Sequence, residues 1–177
     1  LFGLPLAVMV PARGAEEVRR LEVGYEGGTY TVVFHVVLEA PAQAVYAALT
    51  DYGAIRELTP GIVASERVGD TPGGRPRVRN TLEGCVLSFC RRMTQQWVVH
   101  EPGGGLILTR IEPGPSDFSS GWALWRVAGG ARRTQLHYEA ALTPSFWVPP
   151  LVGPWLIENN MAQSLRTLAQ RLEVRAR

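Results

Sequence analysis

The stretch SFWVPPLVGPWLIENNMAQSLRTLAQRLEVR, residues 145 to 175, decides the fold. At about 100° of rotation per residue, Leu151, Trp155, Met161, Ala162, Leu165, Leu168, Ala169 and Leu172 share one face. Asn159, Asn160, Gln163, Arg166, Thr167, Gln170 and Arg171 cover the other. Pro154 suits the first turn, where its missing N–H costs nothing. No glycine or proline follows it, so a helix can run on for about six turns. A helix this long with one broad apolar face needs a broad apolar partner. Glu158 breaks the pattern, because it sits near the middle of the apolar arc.

The residues upstream supply strands for that partner. Leu21 to Tyr25 and Thr29 to Ala40 read as a hairpin around Glu26-Gly27-Gly28. Both faces of the second strand are largely apolar, which predicts partial cover on both sides. Glu16 to Arg20 is polar and reads as a tail or a short helix. Pro41 opens a helix with Val45, Tyr46 and Leu49 on one face, and Ile55 to Leu58 adds a further turn before Pro60-Gly61. Alternating runs follow at Ile62–Val68, around Val78–Leu82, and at Met93–His100, Leu106–Ile111, Phe118–Val127 and Thr134–Leu142. Short turns between them predict an antiparallel meander. One sheet must curve around the helix to bury its inner face. There are no repeats or linkers, so residues 16–177 are read as one domain.

At 177 residues the chain is large enough for a real core, and 46% hydrophobic with 19% charged residues is ordinary for a globular protein. A net charge of +2 does not point to a polyanion. All 18 basic residues are arginine, which excludes Schiff-base chemistry and a phosphate-loop lysine. Cys85 and Cys90 lack zinc-site spacing. They are either two core thiols or a small disulfide, and the disulfide requires an oxidising compartment. Leu1 to Val10, followed by the small residues of Pro11 to Ala15, reads as the end of an export signal occupying residues 1–15. The expectation is therefore an exported, periplasmic protein with Cys85 bonded to Cys90.

Three segments together resemble a known superfamily. They are Glu39-Ala-Pro-Ala-Gln-Ala-Val45-Tyr46 with Leu49-Thr50-Asp51-Tyr52 and Pro60-Gly61-Ile62; the Gly121-Trp122-x-Leu124 strand with its Thr134–Leu142 successor; and Phe146-Trp-Val-Pro-Pro150 before the terminal helix. Across roughly residues 21 to 175 the chain is similar to the polyketide cyclase / START-like (SRPBCC) superfamily, with the coenzyme-Q-binding-like branch nearest. The resemblance implies an α+β helix-grip fold: a seven-stranded curved antiparallel sheet around the C-terminal helix, with a cavity between them. It also implies an apolar small-molecule ligand such as a lipid or quinone. No universal catalytic residue and no cofactor come with it.

Glu158 would be desolvated on an apolar helix face. It is either a polar anchor or general acid at the cavity, or a carboxylate held by the helix N-terminus and an arginine such as Arg110 or Arg126. Asn80 alternates with Val78 and Leu82, and Gln95 with Met93 and Trp97. Pointing inward they would orient a ligand's carbonyl or hydroxyl; with the faces reversed they would be solvated. Trp122 and Trp125 are an odd number apart, so one of them faces the cavity. We take Glu158, Asn80, Gln95, Trp97, Trp122, Met161 and Leu165 as the ligand contacts. The apolar loop Val86-Leu-Ser-Phe89 either folds onto the core or touches a membrane through Val86, Leu87 and Phe89. His35 and His137 could lie on adjacent strands, with His137 on the solvent face. No basic stripe with interleaved aromatics favours nucleic acid. Two rival readings are a cyclase- or hydrolase-like enzyme using Glu158 as acid/base, and a ribosome- or protein-interaction module.

Overall fold

The computed structural model describes residues 17–86, 89–148 and 153–177. The expected export segment, Leu87, Ser88 and Leu151, and the side chains of Val86 and Phe89, lie outside what is described. Within the described residues lie β1 (Glu17–Glu26), β2 (Thr29–Leu38), α1 (Ala42–Thr50), a 3-10 turn (Tyr52–Ala54), α2 (Ile55–Leu58), β3 (Ile62–Asp70), β4 (Pro76–Val86), β5 (Phe89–Gly103), β6 (Leu106–Ile111), β7 (Phe118–Gly129), β8 (Thr134–Pro144) and α3 (Gly153–Arg175).

All eight strands form one sheet in the order β1-β2-β8-β7-β6-β5-β4-β3. Every neighbouring pair is antiparallel. The β1–β2 turn uses Gly27 and Gly28, both at positive φ (56° and 87°), a conformation that L side chains resist. The sheet has one strand more than the resemblance implied, because β1 adds an edge. The segment Glu16–Arg20, expected as a tail or short helix, is strand from Glu17 onward. Its charges pair along the strand, Arg19 with Glu17 at 2.7 Å and Arg20 with Glu22 at 2.8 Å. Val18, Leu21 and Val23 pack against the core, and a register shift between Val18 and Arg20 lets this edge follow β2.

The helix lies on the concave face, where Leu165, Leu168, Ala169 and Leu172 are buried as the periodicity predicts. Trp155 departs from it and is 64% exposed. The C-terminal end is pinned by charge. Arg175 reaches Asp51 at 2.7 Å and Glu57 at 2.8 Å, and Arg171 donates to the Glu57 carbonyl at 3.0 Å. Buried Glu173 accepts the Glu39 N–H at 3.3 Å and pairs with Arg177.

Most of the fully buried side chains concentrate on one part of the molecule: Val32, Phe34, Val36 and Leu38 of β2, Thr134 and Leu136 of β8, Val45 of α1, Leu58 of α2 and Leu172 of α3, with Val99 of β5 apart from them. That region is solid core. The space between β4–β7 and the middle of α3 is packed differently.

Candidate ligand cavity

Between the concave face and α3 lies a cavity of about 630 Å³. That is within the range of small-molecule sites, roughly 300 to 1,000 Å³. Strand alternation sets its wall. Tyr30, Leu142, Gly121, Ile111, Trp97 and Val78 follow one another on the inner face across β2, β8, β7, β6, β5 and β4; Tyr30, Leu142, Trp97 and Val78 line the cavity, with Gly121 and Ile111 packed behind them. Gly121 is the crossing point: a Cβ there would sit 2.7 Å from Leu142 Cδ2 and 2.8 Å from Ile111 Cγ1. Its bare backbone lets those two side chains close over it. Ile157, Met161, Leu165 and Leu168 of α3 form the opposite wall. The lining includes Gly61, Glu83, Cys85, Asn160 and Gln163, all exposed, which mark where the cavity opens.

Of the residues expected to touch a ligand, the structure brings Asn80, Gln95, Trp97, Met161 and Leu165 together on the cavity lining. Asn80 and Gln95 stand opposite one another on β4 and β5, and both are buried. Trp97 donates its indole N–H to Gln95 Oε1 at 3.3 Å. Asn80 Oδ1 has no hydrogen-bond partner among the described residues.

Two expected contacts lie elsewhere. Trp122 is 45% exposed and pairs with Arg110 and Ala141 on the outer face. Trp125 takes the inner position, stacked on Tyr138 with ring centroids 3.9 Å apart. The cause is parity: Ala123, Trp125 and Val127 share the inward side of β7, so Trp122 faces out. Glu158 is half-buried but is not part of the lining. Its charge acts on Tyr30 at the β1–β2 side of the helix. Burial pushes the Tyr30 phenol up to about 12, with Tyr25 and Glu158 adding to it. Neither Arg110 nor Arg126 pairs with Glu158, since both are exposed and alternate with inward neighbours on β6 and β7.

Tyr30, Tyr52 and Tyr138 line the cavity without having been singled out from sequence, and Trp125 takes the place expected of Trp122. Burial pushes Tyr138 up to about 12. Tyr52 is raised still further, first by burial and then by its short hydrogen bond to Glu101. For Tyr30, Tyr138 and Trp125 the signal is strand parity shared with the buried neighbours Val32, Leu136 and Ala123; Tyr52 lies in the 3-10 turn, where strand parity does not apply. His35 and His137 are paired in register and stacked at 4.1 Å, on the outer face and away from the cavity. Cys85 and Cys90 face each other across the β4–β5 hairpin and are disulfide-bonded, with Cα atoms 3.9 Å apart. Among the described residues no cluster of three or more His, Cys, Asp or Glu could hold a metal ion. No helix there is long and apolar enough to cross a membrane.

Solved structures share this architecture. A START superfamily protein from Mycobacterium smegmatis superposes with a TM-score of 0.64 at 21% identity, covering 82% of this chain and 96% of its own. The Zhui aromatase/cyclase from Streptomyces sp. R1128 gives 0.63 at 20% identity, over 84% and 96%. A STAR-related lipid transfer protein from Xanthomonas axonopodis gives 0.56 at 18% identity, over 86% and 98%. At these identities the likeness is one of fold. No curated protein matches the sequence. The family model described as polyketide cyclase / dehydrase and lipid transport matches residues 29–173, from the start of β2 into the last turn of α3. With the helix-grip architecture in place over that whole span, the chain belongs to the polyketide cyclase / dehydrase and lipid transport family.

Proposed function

We propose that this protein binds and carries an apolar small molecule, a lipid, quinone or similar compound, in the cavity between the sheet and α3. The observation that carries the reading is the cavity itself: about 630 Å³, bounded by Trp97, Trp125, Phe118, Met161, Leu165 and other largely apolar side chains. A solid core at that position would have left no room for a ligand. Affinity would come from apolar burial at about 25 cal/mol per Å², offset by ordering and desolvation. The lipid-transfer name of the Xanthomonas neighbour supports the same reading.

The setting we propose is periplasmic, with the ligand collected from a membrane. The Cys85–Cys90 disulfide supports an oxidising compartment. Trp147, next to cavity-lining Phe146, is 78% exposed. Exposed tryptophans near a cavity mouth suit a membrane interface. The aromatase/cyclase neighbour keeps an enzymatic alternative in view. Glu83 is the one carboxylate on the described lining; it is exposed at the rim and paired with Arg92 at 2.9 Å. An acid/base route through Glu158 would rest on a carboxylate that is not part of the described lining.

The test is organic extraction of protein purified from its native host, followed by mass spectrometry. A stoichiometric apolar compound is expected. Native protein that yields none, and whose tryptophan fluorescence responds to no lipid or quinone, would end the carrier reading.

A further inference from the structure

The polar groups on the cavity wall restrict what the ligand can be. This inference rests on the carrier reading and narrows it to a chemical class. Asn80 and Gln95 are only 9% and 6% exposed, and they face each other on β4 and β5. An indole N–H can only donate, so the Trp97 bond fixes Gln95 Oε1 as the acceptor and leaves its Nε2 as a donor. Asn80 Oδ1 is an acceptor without a partner. The sequence neighbour of Gln95 shows how a buried amide is normally treated. Gln96, on the outer side of β5, donates to Glu112 at 2.7 Å and accepts from Arg79 at 3.0 Å, so both of its ends are used. The same strand satisfies its outward amide and leaves the inward corner open. Buried polar groups are normally paired, and one left open on a cavity wall calls for a partner from the ligand.

A hydroxyl completes this corner with a single atom. A hydroxyl accepts from Gln95 Nε2 and donates to Asn80 Oδ1. A ketone, quinone or ether oxygen accepts only, and leaves Asn80 Oδ1 unmet. A carboxylate is worse placed: none of the arginines lies on the described lining, so its charge would be desolvated without a counter-ion. We propose that Asn80 and Gln95 form a hydroxyl-reading corner, and that the ligand is an alcohol or phenol on an apolar body, such as a sterol-type alcohol or a hydroquinone. Asn80 and Gln95 then act as specificity-determining residues, and the aromatic wall of Trp97 and Trp125 holds the body.

The test uses matched probes on the whole chain, read by tryptophan fluorescence: 9-phenanthrol, 9-methoxyphenanthrene, phenanthrene and palmitate, then cholestanol against cholestanone. Wild type is expected to bind each hydroxyl compound at least tenfold more tightly than its ether or ketone, about 1.4 kcal/mol. The methyl ether is the more apolar of its pair, so hydrophobicity alone predicts the reverse order. Asn80→Leu should bring the pair within about twofold, each affinity being read relative to phenanthrene on the same variant. The wild-type comparison stands without the variant, should that variant fail to fold. Equal binding of phenanthrol and its ether, palmitate binding more tightly than the alcohols, or a preference that survives in folded Asn80→Leu would overturn the hydroxyl corner. If the hydrocarbon and ketone bind but without preference, the carrier reading survives and only this inference falls. If no probe binds, both fall.

Discussion

Replacing Gly121 by alanine tests the geometry of the cavity wall most directly. The new Cβ would lie 2.7 Å from Leu142 Cδ2, 2.8 Å from Ile111 Cγ1 and 3.2 Å from the Ala141 carbonyl oxygen. Carbon atoms in contact prefer about 3.5–4.0 Å, so Leu142 and Ile111 must each retreat by about 0.7 Å or more, and the Ala141 oxygen by a few tenths of an ångström. Leu142 can swing into the cavity it borders. Ile111 is buried in the core and the Ala141 oxygen belongs to the β7–β8 ladder, so neither yields easily. Overpacking of this kind costs about 1–3 kcal/mol, and the stiffer unfolded chain returns about 0.4–1 kcal/mol of that. The net loss of about 1–2 kcal/mol corresponds to a fall in Tm of about 2–8 °C for a chain of this size. Urea denaturation should show a lower midpoint with an unchanged slope. The displaced Leu142 should also weaken binding of a phenanthrene probe, and adding Leu142→Ala should restore that binding. An unchanged or raised Tm for Gly121→Ala would refute the wall geometry derived from β6, β7 and β8.

Three further outcomes are expected. Met161→Trp fills the cavity from the α3 side and should abolish probe binding while the fold persists by circular dichroism; retained binding would place the ligand elsewhere. Unreduced, denatured protein should give no free-thiol signal, and Cys85→Ser with Cys90→Ser should cost about 2 kcal/mol for so short a loop. Burial first, then His35 and Arg126, hold His137 below its ordinary value, with Glu139 opposing. The unfolded chain therefore binds that proton more readily. The stabilising effect is present above about pH 6.5 and is lost as pH falls through the lowered value. His137→Gln should flatten that part of the stability profile, and a profile identical to wild type would sink the assignment.

Much of the fold was legible because alternation and helical periodicity are local properties. The run from Leu165 to Leu172 reads as one buried stripe in any order of strands, and it is buried. Residues 16 to 20 misled because charge density looks like a tail. In the strand from Glu17 those charges pair with neighbours two residues away, on the side facing water, and leave the apolar positions to the core. The pairing of Cys85 with Cys90 was legible as one of two alternatives, and the hairpin register decided between them.

The site was less legible because it depends on which side of a curved sheet each strand presents. Trp122 and Trp125 carry equal sequence evidence. Only the shared parity of Trp125 with buried Ala123 and Val127 separates them, and burial is set by partners far away in sequence. Glu158 shows a related limit. A helical wheel gives its angle to the mean apolar direction, but α3 meets different neighbours along its length: β1 and β2 on one flank, the cavity on another. Its angle therefore fixed a face without fixing what that face would touch. Hydrogen-bond satisfaction is a property of pairs rather than of residues. Gln95 and Gln96 are adjacent amides of identical chemistry, yet one is closed by Glu112 and Arg79 while the other opens a donor into an apolar space. Alternation with Met93 and Trp97 marks Gln95 as the candidate inward amide, but not that its donor is left open. That difference separates the outer face of β5, which only holds the sheet together, from the inner face, where the proposed ligand would find a partner.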